Sequence, residues 1–183
     1  MRASHIDSNL RSLAALGAER ERAIREQVPE VVRAVEAASR VAWLPLELDI
    51  QLTDAVERAC GLERMKRWAR DALGRSSEGW LLRPVVVGLS ALGLTPEGAL
   101  KRVPSGWPLI YRECGQLHYQ HADEHGITLV HSEVPAAMIE NSTYLEGIAG
   151  AFEAIAEIGG GRQVRSSVEL DRGVVYYRCD WAR

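Results

Sequence analysis

The sequence predicts an α+β fold, in which N-terminal helices precede a ββαββ unit and a four-stranded antiparallel sheet packs on helices. Three observations predict it. Up to Glu113 the apolar residues recur every three or four positions, the period of a helix face. After Gly115 the period falls to two, as on a half-buried strand. One long helical stripe then separates two such alternating pairs, and helices on one face of a sheet are the simplest packing for that order.

The helical part opens on the stripe Leu10, Leu13, Ala14 and Leu16. "GAERERAIREQ" continues it with charges, and "PEVVRAVEAASRV" starts with Pro29, whose missing N–H costs nothing in a first turn. Pro45 breaks "VAWLPLELD". Leu52, Ala55, Val56 and Ala59 mark a helix stopped by Gly61. Leu62, Met65, Trp68, Ala69, Ala72 and Leu73 mark the next, stopped by Gly74 at the turn "GRSSEG". "WLLRPVVVGLSALG" is apolar nearly all round and reads as the buried central helix, with Pro84 near its first turn. Thr95 caps a helix that has Pro96 at its first position. Ser105 caps one more, through "WPLIYREC", ended by Gly115.

In the first hairpin Leu117, Tyr119 and His121 alternate with Gln116, His118 and Gln120, and Ile127, Leu129 and His131 alternate with Thr128, Val130 and Ser132. Asp123 to Gly126 form the turn. Asn141 or Ser142 caps the long helix, whose stripe is Leu145, Ile148, Ala149, Phe152, Ile155 and Ala156. Gly159 to Gly161 end it. A second hairpin places Val164, Ser166, Val168, Leu170, Val175, Tyr177, Cys179 and Trp181 on one face, around the turn Asp171-Arg172-Gly173.

A chain of 183 residues suits one α+β domain. Within it we distinguish an N-terminal helical segment (1–40), a helical core (41–115) and the ββαββ unit (116–183). The net charge of −3 gives no basic footprint for nucleic acid. Three scattered cysteines, in no C-x-x-C pair, argue for a reducing compartment. The N-terminal stretch has no signal-peptide pattern, and no apolar run is long enough to span a membrane. We expect a cytoplasmic protein.

The densest candidate chemistry is "ECGQLHYQHADEHGITLVHSE", which holds four of the five histidines. If Tyr119 pairs with Leu129, then His121 faces Ile127 and Leu117 faces His131. His118 falls on the opposite face across from Val130, and His125 at the turn tip. His121 and His131 are then roughly 13 Å apart along the hairpin at strand rise. Zinc needs three or four ligands at one point, so the hairpin reads as structural. Cys114 or Glu133 would have to be recruited to complete a metal site, and we expect no metal and no cofactor. Phosphate-binding glycine loops and a G-x-S-x-G elbow are absent; "GGGR" at Gly159 follows a helix, where a phosphate loop precedes one.

Two features point to binding. Gly147, Gly150, Ala151 and Ala154 give the long helix a small-residue face. A helical glycine costs about 1 kcal/mol against alanine, so something approaches closely there. The tryptophans are also many for a chain with one phenylalanine. Trp43 and Trp107, beside prolines, are candidate interface residues together with Gly147 and Gly150. Trp80, Val87, Leu145, Ile148 and Phe152 are the candidates for lining a ligand cavity between helices and sheet.

On "LTPEGALKRVPSGWPLIYRECG", "YLEGIAGAFEAI" and "VVYYRCDW", the chain resembles a myxobacterial paralogous family of about this length with no assigned function. The helices-then-ββαββ order is similar to a superfamily of haem–NO-binding domains, vinyl-reductase-like sensors and TRAPP tethering subunits. That resemblance implies small-molecule sensing or a scaffold role. Haem–NO-binding domains carry a proximal histidine on a helix and a Tyr-x-Ser-x-Arg motif. This chain lacks the motif, and the histidine of its helical part is His5, near an end expected to fray. The vinyl-reductase-like sensors use a cysteine-rich metal site, for which no close pair exists here.

These readings favour a non-catalytic regulatory or interaction module that binds a protein partner, a second copy of itself or a small apolar ligand. The alternatives are a small-GTPase regulator or scaffold subunit, and an enzyme using His118, His121 or His131 with Glu133.

Overall fold

The computed structural model describes residues 1–77 and 95–182. Trp80, Val87 and the central helix expected from "WLLRPVVVGLSALG" lie outside the described residues. The architecture is α+β. Helices α1 (Ala3–Ser12), α2 (Ala18–Gln27), α3 (Pro29–Ala37), α4 (Leu46–Cys60) and α5 (Leu62–Ser77) come first. Two short ones, α6 (Pro96–Leu100) and α7 (Val103–Ile110), lead into β1 (Gln116–Ala122) and β2 (Gly126–Ser132). Then come α8 (Ala136–Ile139), α9 (Ser142–Ile158), β3 (Arg162–Asp171) and β4 (Val174–Ala182).

Local chemistry explains most boundaries. Pro29 and Pro96 open α3 and α6. The Thr95 hydroxyl accepts from the Gly98 N–H at 3.1 Å, and the Asn141 side chain accepts from the Tyr144 N–H at 2.8 Å. Gly61 ends α4 at φ 80°, where a side chain would be strained. Two boundaries differ from expectation. Helix α5 continues through Gly74 to Ser77, because one glycine costs a helix only about 1 kcal/mol. Helix α7 starts at Val103 and stops at Ile110, with Pro104 in its first turn; Ser105 is inside it and is not its cap. The N-terminal end is not frayed. Arg2 bridges Trp43 in the backbone, and α1 begins one residue later.

The two hairpins join through β2 and β4 into one antiparallel sheet of order β1-β2-β4-β3. Helix α9 packs on β3 and β4, with α5 on its other side. Tyr119 pairs with Leu129, Leu117 with His131 and His118 with Val130, as expected. A bulge between Tyr119 and His121 then shifts the register, so His121 meets Thr128 and not Ile127. The second turn has positive φ at Arg172 and Gly173, which is a type I′ hairpin. Two residues assigned to the buried face lie open: Tyr119 is 49% and Leu170 46% exposed. Both are on edge strands, and Leu170 is next to the turn, so neither is covered.

Candidate functional site

Helices α1, α4, α5 and α9 meet around one buried carboxyl group, that of Asp49. Asp49 and Thr53 sit on the stripe of α4 that also carries Leu46, Ile50, Leu52 and Val56, so folding that stripe inward carries them inward too. Asn9 Nδ2 of α1 donates to Asp49 Oδ1 at 3.0 Å. Tyr144 of α9 donates its hydroxyl proton to Asp49 Oδ2 at 2.8 Å. The Thr53 hydroxyl donates to the Asp49 carbonyl at 2.9 Å. Tyr111 lies beside Tyr144 in the same lining. Burial first, then Asp49, holds the Tyr144 phenol well above its ordinary pKa, and Tyr111 is raised for the same reasons.

These groups border a cavity of about 40 Å³. His5, Asn9, Asp49, Tyr111 and Tyr144 form its polar part; Trp68, Leu73, Ile148 and Ala151 form its apolar part. The Trp68 indole N–H is buried and has no hydrogen-bond partner among the described residues. His5 is half-buried, and burial lowers its pKa against the opposing pull of Asp49.

A second buried polar group adjoins this one. Trp107 stacks on Tyr111 at 3.7 Å and meets the His131 ring edge-on at 5.0 Å. His131 is fully buried. Its Nε2 is 2.7 Å from the Cys114 carbonyl, which can only accept, so Nε2 carries the proton. Among the described residues Nδ1 is left without a partner, as are Trp107 Nε1 and the Tyr177 hydroxyl. Burial pushes the His131 pKa down.

Of the residues singled out in the sequence, Ile148 and Gly147 border the cavity. Leu145 and Phe152 are core, and Phe152 meets Tyr177 edge-on at 5.1 Å. Trp107, read as an interface residue, is 6% exposed and belongs to the core, because its ring is sandwiched by Tyr111 and His131. Trp43 is half-buried under the Arg2 guanidinium, 4.0 Å from its ring. Gly147 and Gly150 face α5. An added Cβ at Gly150 would lie 2.5 Å from the Lys66 carbonyl oxygen. His118 and His125 are exposed and His131 is enclosed, and no three metal-ligating side chains gather at one point among the described residues. Asp49, Asn9, Tyr111 and Tyr144 were missed. The available signal was an aspartate on an otherwise apolar stripe.

Helices followed by a ββαββ sheet have counterparts among solved structures. An oxygen-binding H-NOX domain related to soluble guanylate cyclases has a TM-score of 0.66 at 12% identity, covering 100% of this chain and 96% of that one. The Fe(II) unliganded H-NOX protein from K. algicida has a TM-score of 0.66 at 10% identity, covering 100% and 97%. The chain has the H-NOX fold. An H-NOX structure solved to study the mechanism of activation agrees, with a TM-score of 0.64 at 12% identity over 100% and 97%. No protein-family model and no curated protein matches the chain. Among the described residues no helix is long and apolar enough to cross a membrane.

Proposed function

We propose that this chain is a non-catalytic regulatory module that works by binding a small molecule in the cavity beside Asp49. The observation that carries the reading is the cavity itself. It lies between α1, α4, α5 and α9, has polar and apolar groups in its lining, and is bordered by Trp68, whose buried indole N–H has no partner among the described residues. Its polar wall corrects the expectation of a purely apolar ligand: Asp49, Asn9 and Tyr144 call for a ligand that makes hydrogen bonds. The H-NOX fold supports the reading, since one neighbour with that fold is described as oxygen-binding. Fold by itself does not carry function.

The described residues do not fit a haem. His5 is the imidazole on the cavity, and about 40 Å³ compares with roughly 300–1,000 Å³ for sites that enclose larger ligands. His131 is held by Cys114 and closed in by Trp107 and Tyr177. The Tyr-x-Ser-x-Arg motif is absent. Catalysis from the hairpin has no support in the geometry, since His118 and His131 take opposite faces and Glu133 is exposed beside Gln116.

A partner surface is the second reading. Val41 and Leu109 are exposed, and the Arg2 guanidinium ties them together through both carbonyls at 2.6 and 3.1 Å. Exposed apolar groups framed by cations suit a protein partner or a second copy. The reading as a whole is of a bacterial, cytoplasmic, single-domain module, akin to the myxobacterial family on "LTPEGALKRVPSGWPLIYRECG".

Thermal melting with added small molecules and native mass spectrometry of the gently purified chain test the two readings. A ligand of so few heavy atoms leaves during purification, so melting that rises with an added small molecule is the expected result for the first. A chain that flies bare, and whose melting no small molecule of any charge class shifts, refutes the ligand reading. The same spectrum reports any dimer.

A further inference from the structure

The geometry points to the chemical class of the ligand: a compact, uncharged hydroxyl compound with the chemistry of a short-chain alcohol. This rests on the reading of the cavity as a ligand site. Among the described residues Asp49 Oδ1 accepts from Asn9 and Oδ2 from Tyr144, and each oxygen has a second lone pair for a further donor. The adjoining cavity offers space for an incoming O–H donor. Trp68 is 3% exposed, and its N–H has no acceptor among the described residues. A hydroxyl oxygen supplies that acceptor while its proton goes to the carboxyl group. An ammonium ion donates but leaves the indole N–H unanswered, and a carboxylate sets its own oxygens against those of Asp49. At the other end Leu73, Ile148 and Ala151 offer apolar surface for a short alkyl chain. About 40 Å³ admits only a few heavy atoms. Water has the same hydrogen-bonding chemistry but leaves that apolar surface uncovered. A ligand of three heavy atoms binds no tighter than about millimolar.

The test titrates ethanol, ethylammonium and acetate, at equal millimolar concentrations, into the full chain, reading binding by saturation-transfer NMR. Ethanol should bind saturably and the two ions should not. Trp68→Phe keeps a ring and removes the N–H, and should weaken ethanol about tenfold. Ala151→Val, which fills the apolar end, should abolish binding; it serves as the second variant if Trp68→Phe does not fold. Preference for ethylammonium or acetate overturns the hydroxyl class and leaves the cavity as a ligand site. No binding of any of the three, meaning a water site only, overturns the inference, and the melting screen with other small molecules then judges the ligand reading separately. Unchanged ethanol affinity in both folded variants also overturns it.

Discussion

Gly150 marks where two helices touch backbone to backbone. A methyl group there would lie 2.5 Å from the Lys66 carbonyl oxygen and 3.0 Å from Lys66 Cγ. Neither backbone can yield without moving a helix. Gly150→Ala should therefore destabilise the chain by about 1–3 kcal/mol, although alanine is the better helix former. Denaturant unfolding of the variant measures it, and an unchanged midpoint would show that the helices separate freely. Gly147 has more room, with Met65 Sδ and Thr53 Cγ2 each 3.5 Å from an added Cβ, so Gly147→Ala should cost less. His5 and His131 titrate below the ordinary imidazole range because burial disfavours their charged forms. An unfolded histidine takes up its proton near pH 6.5. Between that value and the lower folded values, the unfolded chain holds more protons. Stability is thus complete above about pH 6.5 and falls as the pH drops through the folded values. For His131 the protonated Nδ1 would have no acceptor among the described residues. Unfolding curves between mildly acidic and neutral pH should show this drop, and His131→Gln should reduce it.

At the scale of the element, the histidine-rich hairpin is a strand pair that buries the His131 imidazole. His118 and His125 lie in solvent. Replacing both with glutamine should change stability by no more than about 0.5 kcal/mol. Loss of ligand or partner binding in that folded variant would make the hairpin a functional site. Tyr119 alters the comparison. Alternation assigns it to the inner face, yet its ring is 49% exposed, with the Lys101 ammonium 5.0 Å from its centroid. Tyr119→Ser should accordingly cost about 1 kcal/mol or less, well short of the loss of a buried ring. Thermal melting against Tyr177→Ser separates the two cases, because Tyr177 is fully buried.

At the scale of the molecule, α5, α9 and β3 are joined by a polar network. The Glu153 carboxylate accepts from the Ser166 N–H at 2.9 Å and from its hydroxyl at 2.7 Å. Lys66 Nζ donates to the Ser166 carbonyl at 3.0 Å and to Glu146 at 2.9 Å. Arg70 reaches both Glu153 and Glu157. The outward-facing N–H and C=O of an edge strand are thus taken at Ser166 by side chains from two helices, which blunts that edge against pairing with another chain. Glu153 is 8% exposed, so Glu153→Ala leaves a buried N–H and two cations short of a partner. A loss of about 1–3 kcal/mol is expected, with more aggregation on heating. Light scattering during a melt checks the second effect, and a variant that melts and stays soluble like the parent would show that the network is dispensable.

Periodicity and capping chemistry made the element order legible from the residues alone. The change from period 3.6 to 2 at Gly115, Asn141 before α9 and the Arg172-Gly173 turn each act over a few residues, and each is visible without any partner. The inner-face registry of Leu117, Leu129 and His131 was legible for the same reason. The site was not. Asp49 becomes a centre only when α1 brings Asn9 and α9 brings Tyr144 to its two oxygens, 40 and 95 residues away in sequence. The bulge after Tyr119 shifts the pairing by one residue, and nothing in "HYQHADE" announces it. Exposure of Tyr119 and Leu170, burial of Trp107, and the contact of Gly150 with Lys66 all depend on which elements become neighbours. Local chain chemistry determined which elements form. Only the packing of distant helices decided which polar groups lost their water, and the cavity lies where they did.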